Sequence, residues 1–157
     1  MNISIHQANV ADIATIAKFQ IGLALETENI SLDPETVTIG VQKVLEDESK
    51  GKYYVACVEN TVVGCLLTTF EWSDWRNSTV LWIQSVYVVQ EYRNQGVYSK
   101  LYAHIRNLVE TSANYSGIRL YVDLKNERAQ KVYSALSMNG DHYKIFEWMK
   151  YEKSINF

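Results

Sequence analysis

Polarity alternates along residues 2–7 (NISIHQ) and predicts an opening strand. From Val10 to about Leu25 the apolar positions Ile13, Ile16, Ala17 and Leu23 recur at helical spacing, behind a capping Asn9. Asp33-Pro34 reads as an N-cap followed by proline at the first helical position. The helix it opens carries Val37, Val41, Val44 and Leu45 and ends near Glu48. Tyr53–Glu59 and Val62–Trp72 predict a hairpin turned at Asn60-Thr61. Thr79–Val88 is apolar on both faces apart from Gln84 and Ser85, the pattern of a strand covered on both sides. Gly96–Ala113 places Val97, Leu101, Ile105, Leu108 and Val109 at core spacing on a helix. A short strand at Ile118–Asp123, a helix at Glu127–Leu136 and a closing strand at His142–Tyr151 with alternating aromatics complete the chain. The order β-α-α-β-β-β-α-β-α-β predicts a mixed α/β layer fold.

Composition narrows the class. The 157 residues, 47% of them apolar, are expected to form one globular domain over 1–157. A net charge of -3 offers no basic footprint for nucleic acid. No apolar run approaches ~20 residues and no charged-then-apolar leader follows Met1, so a cytoplasmic chain with no membrane contact is expected. With the hairpin turned at Asn60-Thr61, Cys57 would sit opposite Gly64 and Cys65 opposite Ala56. The two thiols would then point to opposite faces and act as small buried hydrophobes. His6, His104 and His142 fall on separate elements, so no metal site is expected. The aromatic last strand is a candidate edge for a homodimer, and packing entirely inside one subunit explains it equally.

Residues 86–102 (VYVVQEYRNQGVYSKLY) carry the most chemistry. A buried strand ends at Val88, and Arg93-Asn94-Gln95-Gly96 then leads into a helix. The first amides of a helix lack internal partners and stand at its positive end. Gly96 lets the backbone approach a ligand closely, and Arg93 and Ser99 add a charge and a hydroxyl for the same anion. The turn therefore suits a pyrophosphate, although Gly96 alone is equally explained by relief of crowding. Neither a Walker loop nor a dinucleotide fingerprint is present.

Arg93-Asn94-Gln95-Gly96-Val97-Tyr98 resembles the [QR]-x-x-G-x-[GA] signature of the GNAT superfamily of N-acetyltransferases, with Tyr98 in place of a small residue. Asn126-x-x-Ala129-x-x-x-Tyr133 is similar to that family's N-x-x-A-x-x-x-Y helix, and Ser137-Met138 stands where Gly-Phe is usual. The resemblance implies a central, splayed mixed sheet and acetyl-CoA as cosubstrate. It implies a pantetheine arm paired with backbone groups of Val86, Tyr87 and Val88, its thioester near Ser85-Val86. Asn126 would meet the arm while also capping its helix. Tyr133 would be the catalytic group that stabilises the departing thiolate. Gly96→Val, at the start of the helix, would weaken coenzyme binding with little loss of folding.

The general base is unassigned by the sequence. Many relatives carry a glutamate on the fourth strand where this chain has Gln84, and Glu26, Glu28, Glu71 and Asp74 each read equally as solvated carboxylates. Trp72, Trp75 and Tyr87 are candidate walls for an amine pocket, though core packing explains them as well. The leading expectation is transfer of an acetyl group to an amine of a small molecule or peptide in a ternary complex. The alternative is a catalytically silent acyl-CoA-binding module.

Overall fold

The computed structural model describes residues 1–150. They divide into two compact units, Met1–Arg119 and a second beginning at Leu120. The first unit opens with β1 (Ile3–Gln7). Asn9 then closes a capping box with Asp12 and starts a single 3-10 turn that runs into α1 (Ile13–Glu28). Asp33 accepts from Thr36 N–H and, with Pro34 beside it, starts α2 (Pro34–Glu46). The strands β2 (Lys52–Val58), β3 (Thr61–Ser73) and β4 (Ser78–Val88) follow, then α3 (Val97–Thr111) and β5 (Tyr115–Leu120).

The five strands lie in chain order, β1-β2-β3-β4-β5. β1 to β4 are antiparallel neighbours, and β5 forms the one parallel pair. On one face α1 and α2 bury Ile16, Ala17, Phe19 and Val41 against Tyr53, Val55, Cys57 and Cys65. On the other, α3 packs Val97, Leu101, Tyr102 and Ile105. Gly64 permits this: a Cβ there would meet the Tyr87 carbonyl oxygen at 2.8 Å and Val97 at 3.3 Å.

Four expectations are corrected. The β2–β3 turn is Glu59-Asn60, both left-handed at φ 49 and 65, with Val58 paired to Thr61. A bulge beside Cys57 makes Val62 its partner, while Val55 pairs with Cys65. The extra residue shifts the side-chain parity, so both cysteines lie in the core cluster under α1 and α2 rather than on opposite faces. They are free thiols, and burial pushes that of Cys65 up to about 12.

β5 begins at Tyr115, earlier than expected, because the Asn114 carbonyl already accepts from Thr79 N–H (3.0 Å). Asp123, expected inside that strand, instead shapes a turn by accepting from Lys125 N–H (2.7 Å).

The expected closing strand does not form within residues 142–150. A strand needs a second backbone to complete its ladder, and none is assigned there; Tyr143, Phe146 and Trp148 are 85%, 93% and 85% exposed. Tyr151, its expected last residue, lies outside the described residues.

Candidate functional site

β4 changes character at Gln84. Leu67 pairs with Ser85 and Thr68 with Ile83, so Gln84 is the extra residue of a bulge. Its side-chain amide donates to Thr69 Oγ1 at 2.7 Å, an arrangement that fixes the bulge rather than supplying a base. Before the bulge Val80, Leu81 and Ile83 are buried; after it Ser85 to Val88 are half-buried.

The backbone direction beyond the bulge follows from two observations. Val89 N–H donates to Val63 O at 2.9 Å, and the Tyr87 carbonyl faces Gly64. Both residues therefore turn their peptide groups toward β3. By two-residue alternation Val86 and Val88 present theirs the other way. That is the orientation an added extended chain would pair with. Ser85 Oγ is buried without a hydrogen-bond partner.

The chain then makes one 3-10 turn at Gln90–Tyr92 and reaches Gly96, left-handed at φ 83, at the head of α3. No side chain caps this helix, and a Cβ built on Gly96 would meet nothing within 4 Å. Gly96, Asn94, Gln95 and Ser99 are exposed, while Val97 turns its side chain into the core. Gln95 donates through Nε2 to Glu91 O at 2.6 Å, which steadies the approach to the helix. Tyr98, on the first turn of the helix, has its ring 6.3 Å from that of Tyr102. Uncapped amides, a positive dipole end and open space above a glycine together fit an anion. The phosphates of the cosubstrate that the sequence resemblance implies would be such a group.

Arg93 is held away from this cradle. Its Nε donates to Val88 O at 2.8 Å, and its Nη2 meets Glu26 Oε2 on the last turn of α1 at 2.6 Å. Glu26 Oε1 also accepts from the Tyr87 hydroxyl at 2.9 Å, and the Arg93 guanidinium sits 5.5 Å from the Tyr87 ring centre. The Arg93 hydrogen bond is the main reason the Glu26 carboxyl lies below its ordinary range, with Tyr87 and the nearby charge adding to it against some desolvation. Burial, and then the Glu26 bond, push the Tyr87 phenol up. Phe19 packs on the Tyr87 ring at 5.1 Å between centres. Gly22 of α1 makes room, since a Cβ there would lie 3.3 Å from the Tyr87 hydroxyl.

The other candidate bases are held in local structure or stand exposed. Glu71 accepts from Trp82 Nε1 and pairs with Arg119. Asp74 Oδ1 accepts from Trp75 N–H in the β3–β4 turn (2.9 Å), and Glu28 is exposed at the end of α1. Trp72 and Trp75 do not converge with Tyr87. Trp72 pairs with Thr79, which places it roughly 26 Å along β4 from Tyr87. Both indoles are exposed, at 64% and 93%.

In the second unit Asn126 caps α4 (Glu127–Ala135) by accepting from Ala129 N–H at 3.1 Å. Tyr133 lies on this helix, and burial raises its phenol above the ordinary tyrosine range. Ser137 takes the left-handed conformation (φ 64) just past the helix, and Met138 N–H returns to Tyr133 O at 3.1 Å. This is the helix stop that glycine usually makes.

The pairing of Glu26 with Arg93 was not legible in the sequence: the partners are 67 residues apart and no local pattern links them. Among the described residues no group of three or more His, Cys, Asp or Glu is placed to hold a metal.

Residues 23–138 match the family model described as the acetyltransferase (GNAT) family. A solved structure of a possible acetyltransferase from Clostridium difficile 630 is 43% identical, with a TM-score of 0.90 over 97% of this chain and 100% of that one. The fold is shared at lower identity by a ribosomal-protein-alanine N-acetyltransferase from Brucella melitensis biovar Abortus 2308 (15%, TM-score 0.75, covering 94% and 100%). It is shared likewise by an aminoglycoside N-acetyltransferase solved in complex with CoA (16%, TM-score 0.77, covering 95% of each chain). No match was found among curated proteins.

Proposed function

The chain belongs to the acetyltransferase (GNAT) family, and from that premise we propose that it moves the acetyl group of acetyl-CoA onto an amine of a small molecule or peptide, as one catalytic domain over residues 1–157. The observation that carries this reading is the uncapped head of α3 at Gly96, directly after a strand whose Val86 and Val88 peptide groups turn away from β3. Phosphates would be held by the amides of Val97, Tyr98 and Ser99, with Asn94 and Gln95 alongside. The pantetheine arm would pair with Val86 and Val88.

Acetyl-CoA supplies a thioester whose carbonyl carbon the amine lone pair attacks. The new C–N bond forms as C–S breaks, nitrogen gives up one proton and the departing sulfur gains one. A lysine-like amine is mostly protonated at neutral pH, which costs roughly 4–5 kcal/mol before attack. No side chain in the first unit is an evident base, so a water path to solvent, or a less basic amine, fits best.

Tyr133 is the proposed partner of the departing sulfur. With ordinary pKa values of about 10 and 8.5, full proton transfer from tyrosine to a thiolate is uphill by about 2 kcal/mol. The raised phenol pKa steepens that climb and keeps the hydroxyl a donor, so Tyr133 would stabilise sulfur by hydrogen bonding while the proton arrives during departure.

No helix among the described residues is long and apolar enough to cross a membrane, and we place this activity in the cytoplasm. The test is calorimetry with CoA, followed by free-thiol release from acetyl-CoA across a panel of amines. Amine-dependent release supports transfer. Binding without amine-dependent release would support the silent acyl-CoA module, and no binding at all would overturn both.

A further inference from the structure

The position of Arg93 poses a problem of charge. It stands three residues before Gly96, at the edge of the phosphate cradle, yet its guanidinium is neutralised by Glu26 at 2.6 Å. Neither partner is buried deeply enough to be locked: their side chains are 32% and 42% exposed. A guanidinium in that state exchanges partners readily, because an exposed pair contributes little and a polyanion offers more charge and matched fork geometry.

Its Nε also donates to Val88 O, and because the guanidinium is one rigid plane that bond is given up as the Nη groups turn from Glu26 to a phosphate. What remains behind is a carboxylate on the last turn of α1. It is still held by the Tyr87 hydroxyl at 2.9 Å but has lost its counter-ion. Tyr87 stems from the residue between Val86 and Val88, the two whose peptide groups are oriented to pair with an added chain. An unbalanced carboxylate beside an aromatic ring is a seat for a cation.

We propose that Arg93 leaves Glu26 for the phosphates when the coenzyme binds, and that Glu26 with the Tyr87 hydroxyl then receives the ammonium end of the acceptor. The inference rests on the acetyl-CoA-dependent reading above and deepens it. The acceptor is a cation at that end, and its seat opens only after the coenzyme is in place. Glu26 is thus a specificity and positioning residue rather than the base. The coupling is reciprocal: a bound cation must favour coenzyme binding by the same factor.

The test is calorimetric titration of CoA into the full chain as wild type, Glu26→Gln, Arg93→Gln and the double variant, with Glu26→Ala as a second charge-removing variant and circular dichroism to establish folding. Glu26→Gln should bind CoA about threefold more tightly, the size expected when a partly exposed ion pair no longer has to be broken. Arg93→Gln should bind more weakly, and adding Glu26→Gln to it should change nothing further. In methylammonium chloride, against sodium chloride of equal ionic strength, wild type should bind CoA more tightly while Glu26→Gln is indifferent.

Unchanged or weaker affinity in both folded Glu26 variants would overturn the exchange. Wild type indifferent to methylammonium would overturn the seat. Wild type that binds no CoA at all would take down the functional reading, and this inference with it.

Discussion

At Gly96 the backbone stands at φ 83 with open space where a side chain would project. Two costs therefore separate there. Steric room is ample, but the left-handed conformation charges an L-residue about 1–2 kcal/mol. The expectation that a side chain at Gly96 spares folding is corrected accordingly, and alanine is a gentler probe than β-branched valine. Gly96→Ala should lose about 1 kcal/mol in denaturant unfolding and bind CoA more weakly, both read on the same preparation. An unchanged CoA affinity would remove Gly96 from the cradle. Tyr133→Phe removes one hydroxyl and keeps the ring. Turnover should fall by about 10-fold or more with CoA affinity retained, as measured by steady-state thiol release and calorimetry. Equal turnover would leave Tyr133 a packing residue.

Elements meet where glycine or its substitute decides the fit. Gly64 sits where β3, β4 and α3 crowd together, and a Cβ there would press the Tyr87 carbonyl oxygen at 2.8 Å. Backbone must move, so Gly64→Ala should cost about 1–3 kcal/mol. Tm should fall, whereas alanine at Gly40, an exposed position inside α2 where an added Cβ meets nothing, should raise it. The end of α4 is the reverse case. Ser137 occupies a left-handed position at φ 64, and Ser137→Gly relieves that strain at some cost in unfolded-chain entropy. A gain of up to about 1 kcal/mol in unfolding free energy is expected; a loss would mean that the serine side chain contributes a contact worth more than the strain.

For the whole molecule the unsettled account is the aromatic run after α4. Phe146 and Trp148 are 93% and 85% exposed, an apolar display that a lone soluble chain rarely keeps. Self-association through this run is the expected remedy. Sedimentation velocity should show a dimer for wild type, and Phe146→Glu with Trp148→Glu should return it to monomer. A monomeric wild type would count against the pairing.

Element types and the glycine turn into α3 were readable from the chain itself, because periodicity, caps and a motif act over a few residues. Asn9, Asp33 and Asn126 cap the helices they precede, and Gly96 heads α3 as its neighbours imply. Tertiary structure decided what depends on a distant partner. The bulge beside Cys57 reversed the predicted facing of the two thiols, and Asn114 meeting Thr79 set where β5 begins. The last aromatic run found no ladder among the described residues, although its alternation was that of a strand. Glu26 met Arg93 across 67 residues. Register and ion pairing are settled by which backbones and charges arrive side by side, and no window of local sequence contains both members of such a pair.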